Sequence, residues 1–241
     1  MNARGVAAVK KILNTKTLIT FIFFTFIVSV AYVSVRIALA PTVAPSSEIP
    51  VRVKSDYVLM LLQCIIGVFA MLLPGILMHR IRINIPSNMI IVYAVFLYCA
   101  IYLGEVRAFY YRIPHWDTIL HIFSGAALGA LGFSLIGLLN KSESVTFTLS
   151  PAFVALFAFC FAVSLGVIWE IYEFTADFVL QTNMQKYALE SGEPLIGRAA
   201  LIDTMKDLIV DTIGAFVMSV VGYVSLKYKK GWLERVQVKF T

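Results

Sequence analysis

Six apolar runs, each about as long as a bilayer is thick, constrain this chain more than any other feature. They fall at roughly 17–40, 57–78, 88–104, 117–139, 151–175 and 206–228. About 20 apolar residues cross the hydrocarbon as a helix, whereas a barrel strand needs only about ten. In hydrocarbon every backbone N–H and C=O needs an internal partner, so only helices or closed barrels span it, and the run lengths select helices. The expected fold is an all-α membrane protein with about six transmembrane helices in one polytopic domain over 1–241. There is no room for a separate soluble domain.

Composition agrees. The chain is 60% hydrophobic and only 14% charged, where a soluble domain is nearer half apolar and a quarter charged. The net charge of +6 comes from basic residues beside the apolar runs. They read as topology determinants, with no nucleic-acid partner implied. Arg4, Lys10, Lys11 and Lys16 precede the first run, which is longer than a usual signal-peptide core and is followed by Pro41; it reads as a retained signal anchor. Cys64, Cys99 and Cys160 each sit in an apolar stretch and read as small buried hydrophobes.

With the N-terminus cytoplasmic, the larger share of Lys and Arg falls inside, including both tails and the loops near 79–86 and 140–149. Both termini are therefore expected to be cytoplasmic. The Lys227, Lys229, Lys230 run is an inside anchor that also favours anionic lipid. The connection at about 178–205, with Asn183, Gly192, Pro194 and Gly197, reads as an outer loop with some interfacial helix.

The informative residues interrupt the apolar runs. Asp117 and His121 open the fourth helix, Glu170, Glu173 and Asp177 end the fifth, and Asp203, Asp207 and Asp211 open the sixth. The spacings i,i+4, then i,i+3,i+7, then i,i+4,i+8 keep each set on one helix face. Under the topology above all three sets lie near the outer membrane face. Charges at that depth cost a few kcal/mol or more each, so the three stripes are expected to face one another around a cation, shared protons or water. Gly125, Gly129 and Gly132 on the fourth helix, and Gly214-Ala215 on the sixth, let helix backbones approach.

The order Asp117-xxx-His121-xx-Ser124-Gly125, then Glu170-xx-Glu173, then Asp203-Thr204-xx-Asp207-xxx-Asp211-xx-Gly214-Ala215 resembles the YjdF-like bacterial inner-membrane proteins, and more distantly the VanZ-like membrane proteins. The resemblance covers roughly 85–225. VanZ-like proteins usually carry Asn where Asp211 stands, so the pattern is nearer to the YjdF-like one. It implies a multi-helix fold in the bacterial cytoplasmic membrane and no assigned activity.

Three function classes fit the residues. A metal-dependent enzyme on lipid or envelope substrates would use Asp117, His121, Glu170, Glu173, Asp207 and Asp211 as ligands of a divalent metal and as general base, with His115 a further candidate. No HExxH or similar signature is present, and a Ser124-His121-Asp117 triad would crowd three roles onto one short stretch. A proton- or cation-coupled transporter also uses intramembrane acids, though no internal repeat is visible. A structural or regulatory role would make the acids helix caps or partners of Arg107, Arg112 and Arg198. That explains Asp117 and Asp203 at helix N-termini, but poorly explains Glu170 and Glu173 near a C-terminus or Asp211 two turns inward. Trp116 and Trp169, with Tyr110 and Tyr111, suit an aromatic belt. His79 reads as interfacial, and Arg36 either snorkels to headgroups or pairs with the acids.

Overall fold

The computed structural model describes residues 3–42, 52–139, 149–189, 193–233 and 238–240, without the side chains of 3–14 and 239–240. The expected loop at 140–149 is thus almost wholly outside the described residues, as are Gly192 and the side chains of Arg4, Lys10 and Lys11.

Among the described residues six helices are long and apolar enough to cross a membrane: Thr15–Leu39, Lys54–Arg80, Ser87–Val106, Trp116–Leu139, Pro151–Leu180 and Gly197–Lys227. Each apolar run of the sequence seeds one of them. The full elements are α1 (Ala3–Leu39), α2 (Lys54–Arg80), β1 (Ile83–Asn84), α3 (Ser87–Leu97) with a π-helical continuation at Tyr98–Val106, α4 (Phe109–Arg112), α5 (Trp116–Leu139), α6 (Pro151–Leu180), a 3-10 turn (Gly197–Leu201), α7 (Ile202–Lys227) and β2 (Lys239–Phe240).

Several boundaries move outward. α2 runs through Pro74 to Arg80; a membrane helix tolerates such a proline because neighbours re-satisfy the freed carbonyl. α6 starts on a Ser150 cap whose hydroxyl accepts from Phe153 N, and it continues to Leu180. Glu170 and Glu173 therefore lie two or more turns before the helix end, not at it. Asp207 is likewise in the second turn of α7, beyond the reach of a simple N-cap.

The helices form two groups. α1 packs on α2 and α3 around Ile22, Phe26, Met71 and Ala94, while α5, α6 and α7 pack mutually. Phe133, Ile136, Val154, Ala158 and Leu233 form a second core. Phe21, Phe24, Val28 and Val35 of α1 point outward; a bilayer accepts such surface and water does not.

The groups touch at few places. Trp116 Nε1 donates to Cys99 O at 3.3 Å, and the Phe96 and Phe123 rings stack at 5.7 Å. At the other end β1 pairs with β2, Ile83 opposite Phe240, so the C-terminal tail bridges to the α2–α3 turn. Nothing in the apolar pattern foretold this short ladder.

The third span departs most from expectation. Its second half is π-helical and closes with Arg107 N donating to Tyr102 O at 2.9 Å. The chain then reverses through Ala108 at φ 62° and tucks Tyr110 under the span. A Cβ on Gly104 would lie 2.4 Å from the Tyr110 ring, so this position requires glycine.

Candidate functional site

The glycines of α5 and α7 bring their backbones together. A Cβ on Gly125 would lie 2.3 Å from Asp211 O, and one on Gly214 would lie 2.2 Å from Ile122 O. Two helices this close leave no room for side chains at the crossing, so polar groups one turn away must face each other. On α6, a Cβ at Gly166 would sit 2.9 Å from Asp211 Oδ2. That approach carries Glu170, one turn further, to the same place.

His121 is the centre. Its Nδ1 lies 3.2 Å from Asp211 Oδ2, and Asp211 Oδ1 accepts from the Ser124 hydroxyl at 2.9 Å. With its proton on Nδ1, the ring turns the Nε2 lone pair away from Asp211. Nε2 faces Asp117 Oδ1 at 3.6 Å and Asp207 Oδ2 at 3.9 Å. Both are too long for hydrogen bonds. Asp117, His121 and Asp207 each offer one ligand atom, all within 4.8 Å of one another. Two ligand atoms about 2.1 Å from a tetrahedral cation stand about 3.4 Å apart, so the two His121 separations need only a small contraction.

Two carboxylates here are buried without enough partners. Among the described residues, Glu170, 5% exposed, has neither oxygen hydrogen-bonded, and Asp207, 1% exposed, leaves Oδ1 without a hydrogen bond.

The loop after α6 lies over this end of the α5–α6–α7 group. Asp177 accepts from Thr182 Oγ1 at 2.6 Å, Met184 N at 2.7 Å and Gln185 N at 2.9 Å, winding the chain after α6 into a tight turn. Gln185 also donates to Thr204 Oγ1 at 2.8 Å, tying the loop to α7. The turn delivers Lys186, whose Nζ pairs with Asp117 Oδ2 and, at 3.0 Å, with Asp203 Oδ1. Burial lowers the pKa of the Lys186 ammonium, but the carboxylates of Asp117 and Asp203 outweigh it and hold the group above the usual lysine range. Below the loop, burial pushes the Tyr110 phenol well above its usual value, and Glu105 and Asp117 add to the shift.

The six residues singled out from sequence thus converge at one end of the α5–α6–α7 group, in different positions. Asp117, His121 and Asp207 share one point. Asp211 sits behind His121, and Glu173 accepts from Trp169 Nε1 at 3.0 Å. Trp169 is thereby a partner of the cluster as well as an aromatic at its edge. His115 is exposed in the α4–α5 turn and joins no ligand group among the described residues.

The triad reading fails on geometry. Ser124 Oγ shares its one proton between His121 O at 2.8 Å and Asp211 Oδ1 at 2.9 Å, and makes no bond to the imidazole. Arg36 does not pair with the acids either; it donates to the Tyr57 hydroxyl at 2.7 Å. Among the described residues, none of Arg107, Arg112 and Arg198 forms an ion pair with the cluster, and Lys186 does so instead.

Lys186 and Glu105 are the residues the sequence did not single out. Lys186 looked like one of many loop charges; only the Asp177-centred turn aims it. Glu105 sits at the end of the π-helical segment, near Gln63 of α2. Its carbonyl accepts from Arg52 at 3.1 Å. It was legible only as a lone acid in an apolar run.

Between the two helix groups lies a cavity of about 1400 Å³ that reaches from Asp117 and Lys186 to Leu77 and Asn88.

The family described as "Predicted membrane protein (DUF2238)" matches residues 48–228. An uncharacterized protein of Thermotoga maritima is 33% identical over 122 residues, which cover 50% of this chain and 54% of the relative. The chain thus aligns with about half of that relative's length. No solved structure matches.

Proposed function

The chain belongs to the DUF2238 family of predicted membrane proteins, and on that premise we propose a YjdF-like, single-domain protein of the bacterial inner membrane that holds a divalent cation in its acid/histidine centre. Six spans return the chain to the side where it began, and the basic tails favour the cytoplasm for both ends. The centre then lies near the outer face, where lipid or envelope substrates are the natural class.

The observation that carries the reading is the unsatisfied charge around His121. Among the described residues, Glu170 and Asp207 keep buried carboxylate oxygens without hydrogen bonds, while the His121 Nε2 faces Asp117 and the other oxygen of Asp207. Unpaired buried carboxylates are costly, and a divalent cation offsets several of them at once. Imidazole with carboxylates suits a borderline or hard divalent metal. Asp211 behind Nδ1 supplies the carboxylate that orients a ligating histidine. Such a cation would polarise an ester or phosphoryl oxygen and activate water, with Glu170 as the candidate general base.

Elemental mass spectrometry on the purified full chain, after a limited chelator wash, tests this. Near one divalent metal per chain is expected, and Asp207→Asn should lose it. No stoichiometric metal in either protein would overturn the reading. Protons would then be what neutralises Glu170 and Asp207, and proton-coupled transport would take its place, since buried carboxylates without partners are proton sites as readily as metal sites.

A further inference from the structure

The cavity between the helix groups has one polar end and one long apolar course. Its apolar walls include Leu77 and Ala100 on one side and Ala127 and Leu131 on the other. From Asp56 to Leu77 along α2 it runs roughly 30 Å at 1.5 Å per residue, close to the thickness of the hydrocarbon layer. The polar end is acidic on balance: Asp56, Glu105, Asp117, Glu173 and Asp211 line it against Arg52, Arg112, Lys186 and His121. Most of these groups already answer one another. Lys186 pairs with Asp117 and Asp203, Asp211 holds His121, and Asp56 accepts from Val53 N at the start of α2. Arg52 donates to the carbonyl of Glu105 and not to its carboxylate. Among the described residues neither Glu105 nor Glu173 forms an ion pair. Glu173, 8% exposed, has a single hydrogen bond, from Trp169. The two carboxylates come from opposite helix groups, and the Tyr110 ring lies within electrostatic reach of both. Gln63, beside Glu105, buries an amide oxygen with no hydrogen bond among the described residues. Two carboxylates and an amide oxygen are all acceptors, so what this end lacks is a positively charged donor.

We propose that this crevice takes a bilayer lipid whose headgroup ends in a primary ammonium, with an acyl chain along the apolar course and the ammonium between Glu105, Glu173 and Gln63. A primary ammonium carries three N–H donors, enough for all three acceptors, and its hydrogen bonds to carboxylates are charge-assisted. A quaternary ammonium has no donor and would leave them as they are. An uncharged hydroxyl supplies one proton and no charge. The acyl chain gains nothing by leaving one apolar surroundings for another, so selectivity comes from the headgroup end. The inference deepens the reading of the His121 centre by naming the lipid class that reaches it, and it rests on that reading only for what the centre then does to the lipid.

The test offers the full chain an equimolar mixture of palmitoyl-oleoyl phosphatidylethanolamine, phosphatidylcholine and phosphatidylglycerol. The three share acyl chains and a phosphate diester, so differences in retention read the terminal group. Lipid retained after exhaustive detergent washing is counted by mass spectrometry, and metal is measured on the same samples. The unmodified chain should retain phosphatidylethanolamine, about tenfold above either competitor, as the loss of one charged hydrogen bond implies. Glu105→Gln, which keeps the shape and removes the charge, should bring the three lipids close to parity with metal content unchanged. Ala127→Trp, which fills the crevice, should lower retention of all three, and Ala100→Phe on the opposite wall should do the same if Ala127→Trp does not fold. Asp207→Asn should lose metal yet keep phosphatidylethanolamine. The expected lipid selectivity with no metal in any sample would sink the cation reading alone. Preference for phosphatidylcholine or phosphatidylglycerol, a preference that survives Glu105→Gln, equal lipid in the unmodified and crevice-filled chains, or no retained lipid would each overturn this proposal.

Discussion

His121 Nδ1 lies 3.2 Å from Oδ2 of Asp211, a residue 90 positions further along the chain. The contact fixes the ring so that Nε2 turns toward Asp117 and Asp207. Asp211 is a positioning residue in this arrangement. Asp211→Ala is expected to lower metal affinity by about 10- to 100-fold, read by competition with a chelator. Asp207→Ala should remove stoichiometric metal altogether. Ser124→Ala, which deletes one hydrogen bond to Asp211, should cost less than Asp211→Ala. Unchanged affinity in Asp211→Ala would separate the Nδ1 contact from metal binding.

The α5–α7 crossing makes the second prediction. A methyl at Gly125 or Gly214 meets backbone and not a flexible side chain. Gly125→Ala and Gly214→Ala should each destabilise the protein by about 1–3 kcal/mol and weaken metal binding together with it, because the crossing sets the His121–Asp211 distance. Gly75→Ala is the control, since nothing lies within 4 Å of its Cβ position. Thermal unfolding in detergent reads the difference. Equal midpoints for Gly125→Ala and Gly75→Ala would mean that the helices cross elsewhere.

Lys186→Met leaves Asp117 and Asp203 facing each other without their cation. Removing one partner of a fully buried pair costs about 3–5 kcal/mol. The Lys186 side chain keeps 32% of its surface exposed, so solvent screening reduces the expected loss to about 1–2 kcal/mol. The loop at 182–189 should then become the first site of limited proteolysis. Arg198→Met, which breaks no ion pair with the cluster, should leave both readouts unchanged.

The same pair predicts a pH dependence. The folded-state pKa of Lys186 is raised above its ordinary value of 10.5. Its contribution is therefore fully present below about 10.5 and is lost as pH rises through the higher folded value. At pH 10, amine-reactive labelling in the native state should modify Lys54 and Lys206 well before Lys186. Peptide mass spectrometry reads the order. Lys186 labelling first would place the loop open in solution.

The six spans were legible because a run of about 20 apolar residues has one physical solution in a bilayer. The acid stripes were legible because i,i+4 spacing fixes a helix face wherever the helix packs. The roles of those acids were not. Glu170 and Glu173 read as end-of-helix charges until α6 proved to continue to Leu180 on a Gln181 in left-handed conformation. Arg36 had two available partners in prospect, and the α1–α2 packing chose Tyr57. Lys186 carried no local sign of its task, because its aim depends on three hydrogen bonds to Asp177 made within the turn.

By itself, then, the sequence determined the solvent this protein lives in, the number of its spans and the faces that carry charge. All three follow from local periodicity and from the cost of bare backbone in hydrocarbon. Only the tertiary structure decided that Asp211 stands behind His121 while Asp117 and Asp207 stand before it, that a lysine closes the site, and that a crevice opens beside it. Those outcomes depend on how closely glycine lets α5, α6 and α7 approach, and on where two helix groups fail to touch. No window of sequence contains either.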